Sequence, residues 1–144
     1  MAIEYRYGNE LDLDAVIELY AASRLGERRP IGNRATMASM LRHGNLTVTA
    51  WEDSRMVGIA RTLTDFAYCG YLSDLAVRES HQRRGIGVEL IRRTREAMGS
   101  EAMLILLSAP AAVEYYPHIG FTRHDSAWVL RPKDTLGAAP GGRE

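Results

Sequence analysis

Apolar residues recur along the chain in two alternating rhythms, every second residue and every third or fourth, and that alternation predicts a mixed α/β domain. Ile3 to Tyr7 alternates as a first strand. Leu13, Val16, Ile17 and Tyr20 then fall at helical spacing behind Asp12, whose side chain can cap the first turn, so a helix is expected from Leu13 to about Ser23. Arg24 to Arg34, with Gly26, Pro30 and Gly32, reads as a loop. Thr36 is placed to cap a short helix carrying Met37, Met40 and Leu41 and stopped by Gly44. Leu46–Trp51 and Met56–Thr64 read as a hairpin joined by the four residues Glu52 to Arg55, and Tyr71–Val77 as a further strand.

The second half of the chain continues the pattern. Gly87 to Met98 is its clearest helix: Leu90, Ile91, Ala97 and Met98 line one face, while Glu89 and Arg93, and Arg92 and Glu96, stand at i,i+4. Ala102–Leu107 is a continuous apolar run, as a strand buried on both faces would be. A short helix from Ala111 to about Tyr116 and last strands at Phe121–Arg123 and Trp128–Arg131 are expected, followed by a fraying tail from Pro132 to Glu144. Residues 1–131 therefore form one domain and 132–144 a flexible extension.

Composition narrows the classes. With 46% apolar and 25% charged residues among 144, the chain is globular in character. Eighteen basic and eighteen acidic side chains balance, which argues against a nucleic-acid or membrane-surface partner and for a small one. Cys69 is alone, so no internal disulfide forms, and no Cys/His spacing suits a metal. No leader-like or membrane-spanning apolar run is present, and a cytoplasmic location is expected.

Charge is nevertheless unevenly placed. His81 to Arg95 holds five arginines against one glutamate, a formal +4. Gln82-Arg83-Arg84-Gly85-Ile86-Gly87 stands between a strand and the best helix, where glycines permit a tight turn and the helix's first N–H groups lack partners. Such a turn is an anion pocket. It is neither a Walker loop, since no Gly-Lys-Ser/Thr ending follows, nor a dinucleotide fingerprint, since the third glycine and the downstream acid are missing.

Asp74-Leu75-Ala76-Val77, then Gln82 to Gly87, then Tyr115-Tyr116-Pro117-His118-Ile119-Gly120-Phe121 resemble, in order and spacing, the successive motifs of the GNAT superfamily of N-acetyltransferases. The resemblance spans roughly residues 46 to 122. It implies a single-domain, twisted mixed β-sheet flanked by helices and splayed between its fourth and fifth strands, with acetyl-CoA as cosubstrate and no metal. The pantetheine arm would run along Leu75, Ala76 and Val77, and the backbone of Gln82, Arg83, Arg84, Gly85, Ile86 and Gly87 would hold the diphosphate. Tyr116 matches the family's thiol-protonating tyrosine. The acceptor would be a small-molecule or peptide amine, and a homodimer is common in such enzymes.

Direct transfer to an amine needs a proton acceptor and a proton donor, because an alkylammonium with pKa near 10 must be deprotonated and a thiolate leaving group gains from protonation. Asp74 is the candidate base. Regular alternation would put Leu72, Asp74 and Ala76 on one face and Ser73, Leu75 and Val77 on the other, leaving an acid in an apolar strand that binds the amine, relays a proton or satisfies loop N–H groups. Asp65, Glu114 and His118 are lesser candidates, and Trp51, Tyr68 and Tyr71 could line the acceptor pocket. Pro117 disfavours a helical Tyr116. Other readings are a non-catalytic acyl-CoA sensor, or nucleophilic catalysis by Cys69 with a histidine.

Overall fold

Five strands lie in chain order in one sheet: β1 (Glu4–Tyr7), β2 (Leu46–Glu52), β3 (Arg55–Thr64), β4 (Cys69–Val77) and β5 (Met103–Ile105). The first four pair antiparallel and β5 joins β4 in parallel, so the sheet is mixed. The computed structural model describes residues 2–137, and these divide into two units, residues 2–107 and residues 108–137.

In the first unit α1 (Leu13–Ala21) starts where expected, Ala15 N–H donating to Asp12 Oδ2 at 3.2 Å, and ends two residues early. α2 (Arg34–His43) begins before the expected cap. Asn33, not Thr36, caps it, its Oδ1 accepting from Thr36 N–H at 3.1 Å. Val16, Leu19, Tyr20, Met37 and Leu41 from these helices meet Met56, Ile59 and Ala76 in a buried cluster. Each large apolar side chain there contributes about 2 kcal/mol by leaving water. On the opposite face α3 (Ile86–Met98) packs so closely that a β-carbon on Gly58 would stand 3.1 Å from Leu90 Cδ1 and 3.2 Å from Ile86 Cγ2. Gly58 and Ile59 are adjacent on β3, so helices cover both faces of the sheet.

Three expectations need correction in this unit. Glu52 pairs with Arg55, so the hairpin turns on two residues, Asp53 and Ser54, with Asp53 at φ 55°. The run 102–107 yields only three strand residues, and its alternate residues Met103, Ile105 and Leu107, which share one face, are exposed where burial on both faces was expected. The regular alternation of β4 also fails. Arg61 pairs with Asp74 but Thr62 pairs with Leu72, which leaves Ser73 as the extra residue of a β-bulge. Directly paired residues share a face, so the bulge turns Leu72 to the side opposite Asp74.

The second unit contains α4 (Tyr115–His118) after a 3₁₀ turn at Pro110–Ala112. The helix expected from Ala111 to about Tyr116 thus falls at Tyr115–His118 instead, and Tyr116 is helical despite the Pro117 that was expected to disfavour it. Pro117 falls in the first turn, where its missing N–H would have had no partner anyway. Phe121–Arg123 and Trp128–Arg131 form no strands, and Trp128, Val129 and Leu130 are exposed. A strand requires a partner ladder for its backbone groups, and these residues make none. Residues 138–144 of the expected tail lie outside the described residues. Among those described, no helix is long and apolar enough to cross a membrane.

Candidate active site

The pairing of β4 with β5 is short: Cys69, Gly70 and Tyr71 face Met103, Leu104 and Ile105, and there the ladder stops. Leu72 to Val77 consequently has β3 on one edge and, among the described residues, no strand paired on the other. Arg78 N–H points into the sheet and donates to Val57 C=O at 2.8 Å. Since backbone polar groups alternate along a strand, those of Leu75 and Val77 are turned to the open edge. Val77 C=O accepts there from Gln82 Nε2 at 3.0 Å, which anchors the start of the turn that follows.

That turn is tight and leads directly into α3. Arg83 and Gly85 both adopt left-handed backbone, φ 65° and 80°, before α3 opens at Ile86. Glu89 N–H is the first to find a helical acceptor, Gly85 C=O at 3.0 Å. The N–H groups of Ile86, Gly87 and Val88 precede it and have no intrahelical acceptor, so the positive end of the helix dipole is presented by donors in need of partners. The +4 formal charge of this region is less concentrated than the sequence suggests. Arg92 and Arg93 are ion-paired with Glu89, and Arg92 also with Glu96; Arg84, beside the turn, reaches Glu52, while Arg83 beside the turn and Arg95 at the far end of α3 have no carboxylate within ion-pairing distance among the described residues. Hydrogen bonds from Arg92, then from Arg93, push the Glu89 carboxyl down to about 2.

A brace holds the turn from below. His81 Nε2–H donates to Glu52 Oε1 at 2.8 Å, and Arg84 reaches Glu52 Oε2 at 3.9 Å, so the end of β2 is tied to the segment before α3. Arg78, buried, makes a bidentate pair with Glu18 at 2.6 Å and donates to Met56 C=O at 3.0 Å. It fastens α1 to the end of β4.

Asp74 is fully buried and wholly engaged. Arg61 Nε donates to its Oδ2 at 2.6 Å, Arg29 Nε to its Oδ1 at 2.6 Å, and Tyr20 Oη to Oδ2 at 2.6 Å. Burial alone would raise the carboxyl, but Arg61 first, then Tyr20 and Arg29, outweigh it and hold the group below its ordinary value. Burial and the neighbouring carboxylate push the Tyr20 phenol up, so it stays neutral. The two guanidiniums also hold the bulge. Arg29 Nη2 donates to Ser73 C=O at 2.6 Å and Arg61 Nη2 to Ser73 Oγ at 3.0 Å. Of the three roles considered for Asp74, loop N–H satisfaction is replaced by ion pairing with two arginines, and a lowered, fully paired carboxylate is a poor proton acceptor.

Arg29, Arg61 and Tyr20 are the residues sequence reasoning missed. Arg61 left a trace, a charge within an apolar strand that needed a buried partner. Arg29 left none, being one of several loop arginines.

Other candidates scatter. Asp65 Oδ1 accepts N–H groups from Ala67, Tyr68 and Cys69 at 2.8–3.1 Å and closes the β3–β4 loop. Trp51 stacks under Arg6, 4.4 Å from the ring centroid, two strands away from β4, and Tyr68 is exposed. Tyr71 lies on β4 itself. In the second unit Tyr116 is half-buried between Tyr115 and Phe121, with ring centroids at 5.2 and 5.3 Å, and burial together with Tyr115 pushes its phenol up. Glu114 and His118 are exposed.

Comparison with known proteins bears on the whole arrangement. A family model described as an acetyltransferase (GNAT) domain matches residues 27–129. An acetyltransferase of the GNAT family from Streptococcus pneumoniae TIGR4 shares the fold at a TM-score of 0.68 and 23% identity, over 90% of this chain and 99% of that one. An acetyltransferase from Trypanosoma brucei is similar at a TM-score of 0.66 and 26% identity, over 90% and 99%. Aminoglycoside N-acetyltransferase AAC(6')-Iy in complex with CoA aligns at a TM-score of 0.70 and 18% identity, over 92% and 95%. No curated protein matches the chain. With the motifs in register, the mixed five-stranded sheet and a family match over more than two-thirds of its length, the chain belongs to the GNAT acetyltransferases and is an acyltransferase.

Proposed function

We propose that this protein is an acetyl-CoA-dependent N-acetyltransferase that passes the acetyl group directly to a primary amine, with no covalent enzyme intermediate. The observation that carries the reading is the open edge of β4 running into a donor-rich, left-handed turn at the start of α3. A pantetheine arm is a chain of amides and suits an unpaired strand edge; Leu75, Ala76 and Val77 would hold it, as an added strand is held. The backbone N–H groups of residues 82 to 87, with Arg83 and Arg84 beside them, suit the diphosphate.

In this reading the amine nitrogen attacks the thioester carbon, a tetrahedral oxyanion forms, and the C–S bond breaks. Leu75 N–H, facing the open edge, is the donor proposed for the oxyanion. Tyr116, matched by its motif and kept protonated by its raised pKa, is proposed to give its proton to the departing thiolate. Asp74 is assigned a positioning role, because the donors around it, Arg61, Arg29, Tyr20 and Ser73 Oγ, leave it little basicity. The amine proton then goes to water, the Tyr116 phenolate takes a proton back from water to restore the enzyme, and holding the reactants in line supplies much of the acceleration.

Titration calorimetry with acetyl-CoA, followed by free-thiol release with a panel of amines, tests the proposal. Micromolar binding and amine-dependent release are expected, with a large loss of kcat but retained coenzyme affinity in Tyr116→Phe. Absence of detectable binding to acetyl-CoA or coenzyme A would overturn it.

A further inference from the structure

The buried cluster around Asp74 does not balance. Two guanidiniums, Arg29 and Arg61, share one carboxylate, and Tyr20 is neutral, so the group carries a net positive charge with only Arg29 partly exposed. Arg61 is 6% exposed and Asp74 is fully buried. The carbonyl end of α2 meets Arg61 through Met40 C=O at 3.2 Å, but it offers only a partial charge. An excess charge so poorly hydrated is costly until an anion meets it.

Arg29 is where that anion can reach the cluster. Its side chain keeps 22% exposure. A guanidinium carries five N–H donors, and three are accounted for, by Asp74 Oδ1, by Ser73 C=O and by Arg28 C=O. The two that remain, one on each terminal nitrogen, are enough for a bidentate grip on an oxyanion. The surrounding loop strengthens the attraction. Residues 24 to 34 hold four arginines and one glutamate, a formal +3, and Glu27 already pairs with Arg24 at 3.6 Å while Asp14 pairs with Arg34. Among the described residues Arg28 has no carboxylate within ion-pairing distance.

We infer that the amine acceptor carries an oxyanion, a carboxylate or a phosphate, which Arg29 and its loop bind. The inference rests on the proposed transfer reaction and names the class of its substrate. Arg29 holds the carbonyl of Ser73, and Leu75, the residue proposed to meet the thioester oxygen, is two positions further along β4. Two residues of strand span about 7 Å, so an amine separated from its oxyanion by a short chain would reach from one to the other. A polycationic acceptor would instead meet like charge.

Matched amines at saturating acetyl-CoA test this: γ-aminobutyrate against butylamine for carboxylate, phosphoethanolamine against ethanolamine for phosphate, and spermidine as the polycation. The expected result is a preference of about tenfold or more in kcat/KM for the anionic member of at least one pair, the order that one charge-assisted pair supplies. Arg29→Gln should bring that ratio to about one with the affinity for acetyl-CoA unchanged, while Arg29→Lys keeps a preference. Arg28→Gln, an exposed change that leaves Asp74 untouched, should reduce the ratio partway. Raising salt from about 0.05 to about 0.5 M should raise KM for the anionic amine and not for its neutral partner. Equal or better use of spermidine or the neutral amines overturns the inference, as does a preference that survives both glutamine variants. Intact acetyl-CoA binding with no turnover of any anionic amine defeats it while leaving the coenzyme reading in place, whereas loss of acetyl-CoA binding in the wild type defeats that reading first.

Discussion

Arg61 Nε stands 2.6 Å from Asp74 Oδ2, across the rung of the β3–β4 ladder that adjoins the bulge at Ser73. One residue further along, the register slips and the strand carries an unpaired residue whose carbonyl and hydroxyl the same arginine pair secures. The ion cluster thus holds in place an interruption that the hydrogen-bond ladder by itself would not favour.

Removing the shared carboxylate should therefore be expensive. Asp74→Asn leaves two guanidiniums facing each other in a buried site, and a loss of about 3–5 kcal/mol is expected from urea unfolding at neutral pH. The sign of the pH dependence follows from the lowered pKa of Asp74 in the folded protein. Its contribution is complete above the unfolded value, about 3.9, and is lost as pH falls through the lower folded value. Wild-type and variant stabilities should converge below about pH 4. Curves that stay parallel into acid would show that the carboxylate's charge is not what matters.

Gly44 is small because Arg61 passes over it. A β-carbon at residue 44 would lie 2.8 Å from Arg61 Cγ and 3.1 Å from Cδ, in the stem of a side chain pinned at its far end by Asp74, Ser73 and Met40. The backbone there, φ −76°, would otherwise accept any residue. Gly44→Ala should cost about 1–3 kcal/mol through overpacking, measurable as a lowered Tm. Combined with Arg61→Ala, the alanine at 44 should add almost nothing, and an additive double mutant would refute the contact.

Arg83 holds left-handed backbone at φ 65° beside the proposed diphosphate turn. Arg83→Gly relieves that strain and should stabilise the fold by about 0.5–1 kcal/mol, while weakening acetyl-CoA binding through the lost positive charge. Thermal denaturation and calorimetry on the same variant should move in opposite directions. Tighter coenzyme binding in the glycine variant would rule out an attractive role for the side chain.

The pH–rate profile separates the proposed roles. Asp74 stays ionised and paired, and the Tyr116 phenol is pushed above its ordinary value, so neither titrates between pH 6 and 9. Log kcat/KM should then climb with a slope of about one until the acceptor amine itself loses its proton, near pH 10. A plateau beginning near pH 7 would reveal a carboxylate or histidine acting as base.

The order of the first five strands and of the helices between them, the cap at Asp12 and the tight turn ahead of α3 could be read from the chain, because each depends on residues only a few positions apart. Apolar periodicity declares a helix or a strand locally, and Gly85 declares a left-handed turn locally. The work of Asp74 could not be read in this way. It depends on Arg61, 13 residues away, and on Arg29, 45 residues away, meeting over one carboxylate. The bulge at Ser73 and the shortness of β5 were equally out of reach, since strand register and strand length are decided by what the neighbouring backbone offers. Residues 24 to 34 read along the chain only as a loop, and it was the fold that brought Arg29 of that loop to Ser73 on β4, the strand proposed to carry the thioester, because a contact across 44 residues leaves no local pattern.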